Sequence, residues 1–148
     1  MGKKQRKKAG QFGHLPPQHK FFLNPHADAR FTCCPKCDAK TKLRKKPLLI
    51  LIHPAQPVSL NKTCRYCPSC DLLILHQNEL EPLLARMCQQ YYPQLIGNDY
   101  LVVGTVERKD WKEGYQNITS LDDLFNTVHD FKQHLEFEPA RYVWVQED

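Results

Sequence analysis

A short cysteine motif occurs twice in this chain of 148 residues. The two copies read Cys-Pro-Lys-Cys-Asp at 34–38 and Cys-Pro-Ser-Cys-Asp at 67–71. Each copy places two thiols three positions apart, and two such pairs supply the four sulfur ligands that a tetrahedral structural zinc ion takes. No apolar signal segment follows the basic amino terminus, so we expect a cytoplasmic protein, in which disulfides are disfavoured. The motif therefore predicts one structural Zn²⁺ per chain.

The second cluster of cysteines offers two overlapping pairs, Cys64/Cys67 and Cys67/Cys70. The pair Cys67/Cys70 has a proline after its first thiol and an aspartate after its second, and the pair Cys34/Cys37 has both as well. We therefore predict that the metal ligands are Cys34, Cys37, Cys67 and Cys70. Replacement of Cys70 by Cys64 as the fourth ligand stays open as an alternative.

The other thiols and the nearby histidines have simpler interpretations. Cys33 adjoins a ligand and would point to the opposite side of an extended strand, and Cys88 lies on the apolar face of an expected helix, where cysteine behaves as a small hydrophobic residue. His53 and His76 are close enough in sequence to replace a thiol, but packing or surface roles are favoured.

The two Cys-Pro-x-Cys motifs, called knuckles below, resemble the metal-binding turns of the zinc-ribbon class. The resemblance covers about residues 30–76. The resemblance implies antiparallel strands around the knuckles, with a β-hairpin between them. Asp38 and Asp71 stand where that class usually has glycine, so aspartate must adopt a left-handed or nearby conformation there. The spacer at 38–66 has 29 residues and predicts a long hairpin.

The rest of the chain predicts an α+β fold in four parts. We expect a disordered basic arm at 1–20, the ribbon at 21–76, a helix and linker at 77–97, and a small α+β unit at 98–148. Apolar residues at helical spacing indicate the helix, at Leu80, Leu83, Leu84, Met87, Cys88 and Tyr91. The last unit should contain a strand at 100–106, a short helix capped by Ser120, and a hairpin of strands at 132–138 and 141–146, where residues alternate in polarity.

Charge divides the chain unevenly. Residues 1–46 hold 13 Lys and Arg against two Asp, a net of +11, whereas residues 47–148 hold 8 against 14 acids, a net of −6. Runs of cations neutralise phosphates and release counterions, which gives salt-sensitive binding to nucleic acid. The cations predicted to bind nucleic acid are Lys3, Lys4, Arg6, Lys7 and Lys8 in the arm and Lys42, Arg44, Lys45 and Lys46 in the hairpin.

These features favour a small zinc-ribbon binding protein that contacts RNA, DNA or a nucleoprotein complex. The alternative is an adapter whose structural zinc supports docking to a protein partner, without nucleic-acid binding. We expect no enzyme, because four cysteines close the coordination shell of the metal. The sequence also lacks a phosphate-binding glycine loop, a G-x-S-x-G elbow and an H-E-x-x-H pair. Its longest apolar run has five residues, at 48–52, so no membrane association is expected.

Overall fold

A computed structural model describes residues 12–112 and 120–139 of the chain. The strands, in chain order, are β1 (Lys20–Asn24), β2 (Lys42–Ile52), β3 (Gln56–Cys67), β4 (Leu72–His76), β5 (Tyr100–Val106), β6 (Val128–Asp130) and β7 (Gln133–Leu135). The helices in these ranges are α1 (Gln77–Tyr91), α2 (Arg108–Lys112) and α3 (Leu121–Phe125), with a 3-10 turn at Pro93–Leu95. The predicted α+β class is therefore confirmed.

The seven strands form one mixed and strongly curled sheet, similar to half of a barrel. Their order is β6-β5-β2-β3-β4-β1-β7. Neighbours from β6 to β4 pair antiparallel, whereas β1 runs parallel to both β4 and β7. Strands from the predicted ribbon at 21–76 and from the predicted unit at 98–148 thus meet in the same sheet, where β2 pairs with β5.

The β2–β3 hairpin lies at the centre of the sheet, and the apolar half of its first strand, at 48–52, packs on both faces. Leu48 and Ile50 pack in a cluster with residues of α1, whereas Leu49 packs with Val103 and Val128 in a second cluster. Because burial of one aliphatic side chain contributes about 1.5–3 kcal/mol, these two faces fix the position of β2. A third cluster surrounds the cysteine knuckles.

The longest of the described helices, α1, follows the helical spacing predicted from its apolar residues. Leu80, Leu84 and Cys88 are buried at intervals of four residues and face the sheet. Four residues span slightly more than one turn, so these side chains form a single stripe. The residues between them are exposed or half-buried, so the helix packs against the sheet through this one stripe.

Part of the predicted arm at 1–20 is bound to the edge of the sheet. The carboxylate of Asp130 accepts hydrogen bonds from the backbone N–H groups of Phe12 and Gly13. The N–H of Leu15 donates to the carbonyl of Val128 at 3.1 Å. Gly13 suits this contact because a Cβ there would lie 2.3 Å from the same carbonyl oxygen. The other part of the arm, residues 1–11 with Lys3, Lys4, Arg6, Lys7 and Lys8, lies outside the described residues.

The predicted elements near the carboxyl terminus are partly described. Ser120 caps α3, since its hydroxyl accepts a hydrogen bond from the N–H of Asp123 at 3.1 Å. The strand predicted at 132–138 is present as the shorter β7, which pairs with β1. The strand predicted at 141–146 lies outside the described residues. Within 12–112 and 120–139, no helix is long and apolar enough to cross a membrane.

Candidate metal centre and the basic strand beside it

Four cysteines from the two knuckles come together at one end of the β2–β3 hairpin. The sulfur atoms of Cys34, Cys37, Cys67 and Cys70 all lie within 4.8 Å of one another. The Sγ atoms of Cys37 and Cys67 are 3.5 Å apart. Around a tetrahedral ion with Zn–S bonds of about 2.3 Å, neighbouring sulfurs are ~3.8 Å apart. The donor set and its dimensions therefore fit one metal ion of the size and preference of zinc.

The backbone of each knuckle is folded around its sulfurs. Asp38 and Asp71, the residues after the second cysteine of each pair, have φ angles of 67° and 55°. The left-handed conformation expected for these two aspartates is thus observed. Inside the first knuckle, the backbone N–H of Lys36 donates to Cys34 Sγ at 3.3 Å. Such donors stabilise thiolates, which are the form that binds metal.

The thiols influence one another's protonation, because their sulfurs share hydrogen bonds. A backbone hydrogen bond from Ala39 lowers the pKa of Cys37. The hydrogen bond to Cys37, together with burial, raises the pKa of Cys70 to about 12. Burial likewise raises the pKa of Cys67. Four thiolates in this space need a positive charge between them, so metal binding at this site should release protons.

The remaining cysteines and the two nearby histidines lie apart from the cluster. Cys64 is buried on β3 within the core, and this burial raises its pKa to about 12. Cys88 packs in the same core from α1, while Cys33 is exposed. His76 is buried, and its Nδ1 lies 2.9 Å from the side-chain amide nitrogen of Asn24. His53 is exposed at the tip of the β2–β3 hairpin.

A hydrogen-bonded network around Asp71 connects the second knuckle to distant parts of the chain. Its carboxylate accepts from the Tyr66 hydroxyl at 2.7 Å and lies 2.6 Å from His19 Nδ1 and 3.2 Å from Lys132 Nζ. Burial opposes ionisation of Asp71, but these three partners outweigh it and lower the pKa to about 2. The backbone carbonyl of Asp71 also accepts from Lys20 N at 2.7 Å. Sequence reasoning missed this role, because the repeated aspartate only indicated a turn.

We expect Asp71→Ala to destabilise the protein by about 2 kcal/mol more than Asp38→Ala, since hydrogen bonds to a charged group contribute roughly 1.5–3 kcal/mol. Both variants place alanine at a positive φ, so the backbone strain cancels in the comparison. Within the described residues, the Asp38 side chain makes no hydrogen bond or ion pair. Urea unfolding of the zinc-loaded variants measures the difference. Equal destabilisation would show that the network contributes nothing.

The predicted basic residues of the hairpin lie on β2 at its knuckle end. Lys42, Arg44 and Lys45 are exposed and Lys46 is half-buried. Lys42 pairs across the sheet with Tyr66, the residue before ligand Cys67. Toward the tip of the hairpin, β2 is apolar at Leu48–Ile52. The positive charges of β2 therefore lie near the metal centre and far from the tip of the hairpin.

Among residues 12–112 and 120–139, no carboxylate forms an ion pair with the cations of β2. Elsewhere in the described ranges, Arg30 and Lys62 both pair with Glu79, and Lys132 pairs with Asp71. Over the same ranges, the basic side chains of β2 form no ion pair. Their charge therefore remains available to an external anion.

Comparison of the chain with protein-family models, with curated proteins and with solved structures finds no match. The class of protein follows from the fold and the site themselves. The chain is an α+β protein with a seven-stranded mixed sheet and a four-cysteine cluster that can hold one metal ion.

Proposed function

We propose that the chain is a small zinc-binding protein whose metal is structural and whose basic strand binds nucleic acid. The observation that carries the proposal is the group of uncompensated cations on β2, which starts five residues after ligand Cys37. Zinc would hold the two knuckles together and thereby fix the strand that carries these charges. The order knuckle, hairpin, knuckle, strand supports a zinc-ribbon arrangement of this part.

The chemistry of the centre supports a structural ion. Four sulfur ligands complete a tetrahedral shell and leave no position for water or substrate, whereas catalytic zinc keeps one position open. Two of the four ligands, Cys34 and Cys67, are buried. The metal then contributes stability and orientation, and no bond-breaking step is assigned to it.

The binding surface supports contact with phosphates and not with particular bases. The cations lie along one strand, where successive residues rise about 3.3 Å, so Lys42 and Lys46 span roughly 13 Å. A neighbouring exposed leucine, Leu43, adds apolar surface to this end of β2. Lysine and arginine contacts of this kind bind the backbone of RNA or DNA with little sequence preference.

The test is the affinity of the zinc-loaded protein for a labelled 20-nucleotide RNA and a labelled 20-base-pair DNA, measured by fluorescence anisotropy from 25 to 300 mM salt. About three phosphate contacts along β2 predict a negative slope of log K against log salt with a magnitude of at least about 2. Absence of binding at 25 mM salt would contradict the proposal. Capture of one protein partner after nuclease treatment would then favour the adapter hypothesis.

A further inference from the structure

A residue far from β2 in sequence extends its basic surface. Arg108 begins α2, and its Nη2 donates to the backbone carbonyl of Lys45 at 2.9 Å. The sheet explains this approach, because Leu48 on β2 pairs with Thr105 on β5 and the antiparallel register brings residue 108 opposite residue 45. The guanidinium is therefore held beside β2 by the topology of the fold.

Three positive side chains converge at this junction. Lys46 is half-buried, and its pKa is lowered. Burial is the largest cause, and the positive charges of Arg108 and Arg44 add to it. Arg44 and Lys46 are two positions apart on one strand, so they point to the same face of the sheet. Like charges at such proximity repel one another, and this repulsion is relieved when an anion binds among them.

The acids around the junction are largely engaged elsewhere. Lys62, the cross-strand neighbour of Lys46, is paired with Glu79 at 2.9 Å. Glu107, the residue before Arg108, contacts the ring of His129. Asp110 is the acid in the first turn of α2, and within the described residues it forms no ion pair with the three cations.

We propose that Arg44, Lys46 and Arg108 form one phosphate-binding site, which holds a single phosphodiester of the bound nucleic acid. The inference rests on the proposed function and assigns part of the binding to α2, outside the basic segment of the sequence. Guanidinium groups donate to the two non-bridging oxygens of a phosphodiester in a fork, and an ammonium supplies a compact third charge. Arg108 is already oriented by its bond to Lys45, so little side-chain entropy is lost when it binds.

The test compares Arg108→Gln with Arg86→Gln, which removes the same charge from an exposed position on α1. Loss of the Arg108 contact should weaken binding of the 20-nucleotide RNA about tenfold and reduce the magnitude of the salt slope by up to about 0.7, because Arg44 and Lys46 still contact the shared phosphate, while Arg86→Gln leaves both unchanged. The double variant with Lys46→Gln should lose less than the product of the two single effects, because both cations share one phosphate. Far-ultraviolet circular dichroism and zinc content verify that each variant is folded.

The outcomes separate this inference from the function on which it rests. If the unmodified protein binds and β2 variants weaken binding, but Arg108→Gln behaves as Arg86→Gln does, the shared phosphate site is overturned and the proposed function survives. Strictly multiplicative effects of Arg108→Gln and Lys46→Gln would also overturn it. If the unmodified protein binds no nucleic acid, both proposals fail.

Discussion

Replacement of Cys67 by serine is expected to unfold the region around the two cysteine knuckles at ambient temperature. Cys67 is fully buried at the end of β3, and the hydroxyl of serine is a much poorer ligand for zinc than a thiolate. A structural zinc ion contributes apparent binding energies of about 10–16 kcal/mol, and whole domains are stable by only about 5–15 kcal/mol. Because the contribution of the metal is as large as the stability of a whole domain, loss of one ligand is expected to unfold the region around the knuckles.

The matched control for this variant is Cys33→Ser. Cys33 is exposed and lies beside ligand Cys34, so the substitution makes the same chemical change without removing a ligand. Far-ultraviolet circular dichroism and thermal unfolding, with zinc quantified in the same samples, measure the effect. An unchanged melting curve for Cys67→Ser would mean that the four-cysteine cluster does not depend on metal for its fold.

Neutralisation of the β2 cations has the second large expected effect. Substitution of Lys42, Arg44, Lys45 and Lys46 by glutamine should weaken nucleic-acid binding by at least about a hundredfold at 0.1 M salt, because these cations contact about three phosphates and each contact changes the affinity by about 0.7–0.9 decades. The salt slope should fall in magnitude by about 2. The substitutions lie in the exposed and half-buried part of the strand, so melting temperature and zinc content should change little.

The salt slope decides between direct contact and a general charge effect. Arg86→Gln again serves as the reference for the removal of a positive charge elsewhere. A quadruple variant that binds as tightly as the unmodified protein, with the same slope, would show that β2 is not the nucleic-acid surface. The residual affinity of the variant measures the contribution of the other cations, including those before residue 12.

The cysteine cluster was predictable from sequence because its information is local. Two copies of one five-residue motif, with proline and aspartate in matching places, selected Cys70 over Cys64, and the structure brings the four selected sulfurs together. The helical stripe of α1 was predictable for the same reason, since a period of 3.6 residues is visible in any window of the sequence.

The partners of the strands were not predictable in this way. Parallel pairing of β1 with β4 and β7 joins residues 52 to 113 positions apart, and nothing in a single strand specifies its neighbour. Low apolar content indicated a disordered arm over 1–20, but the described part of it donates backbone hydrogen bonds to other parts of the chain. Two of these bonds go to the buried carboxylate of Asp130, which contributes no apolar signal.

The roles of Arg108 and Asp71 were likewise not predictable from the sequence. The basic segment of the sequence ends at Lys46, and Arg108 joins it only because β5 pairs with β2. The three partners of the Asp71 carboxylate come from positions 19, 66 and 132, which the fold alone brings together. Both residues act through long-range contacts, so composition and spacing do not reveal them.

The metal content of the purified protein tests the central claim most directly. Native mass spectrometry, together with elemental analysis, should find one zinc ion per chain, bound with the loss of thiol protons, and none in a variant with Cys34 and Cys67 both replaced by serine. A protein that is folded and free of metal after purification in zinc-containing buffer would contradict the account.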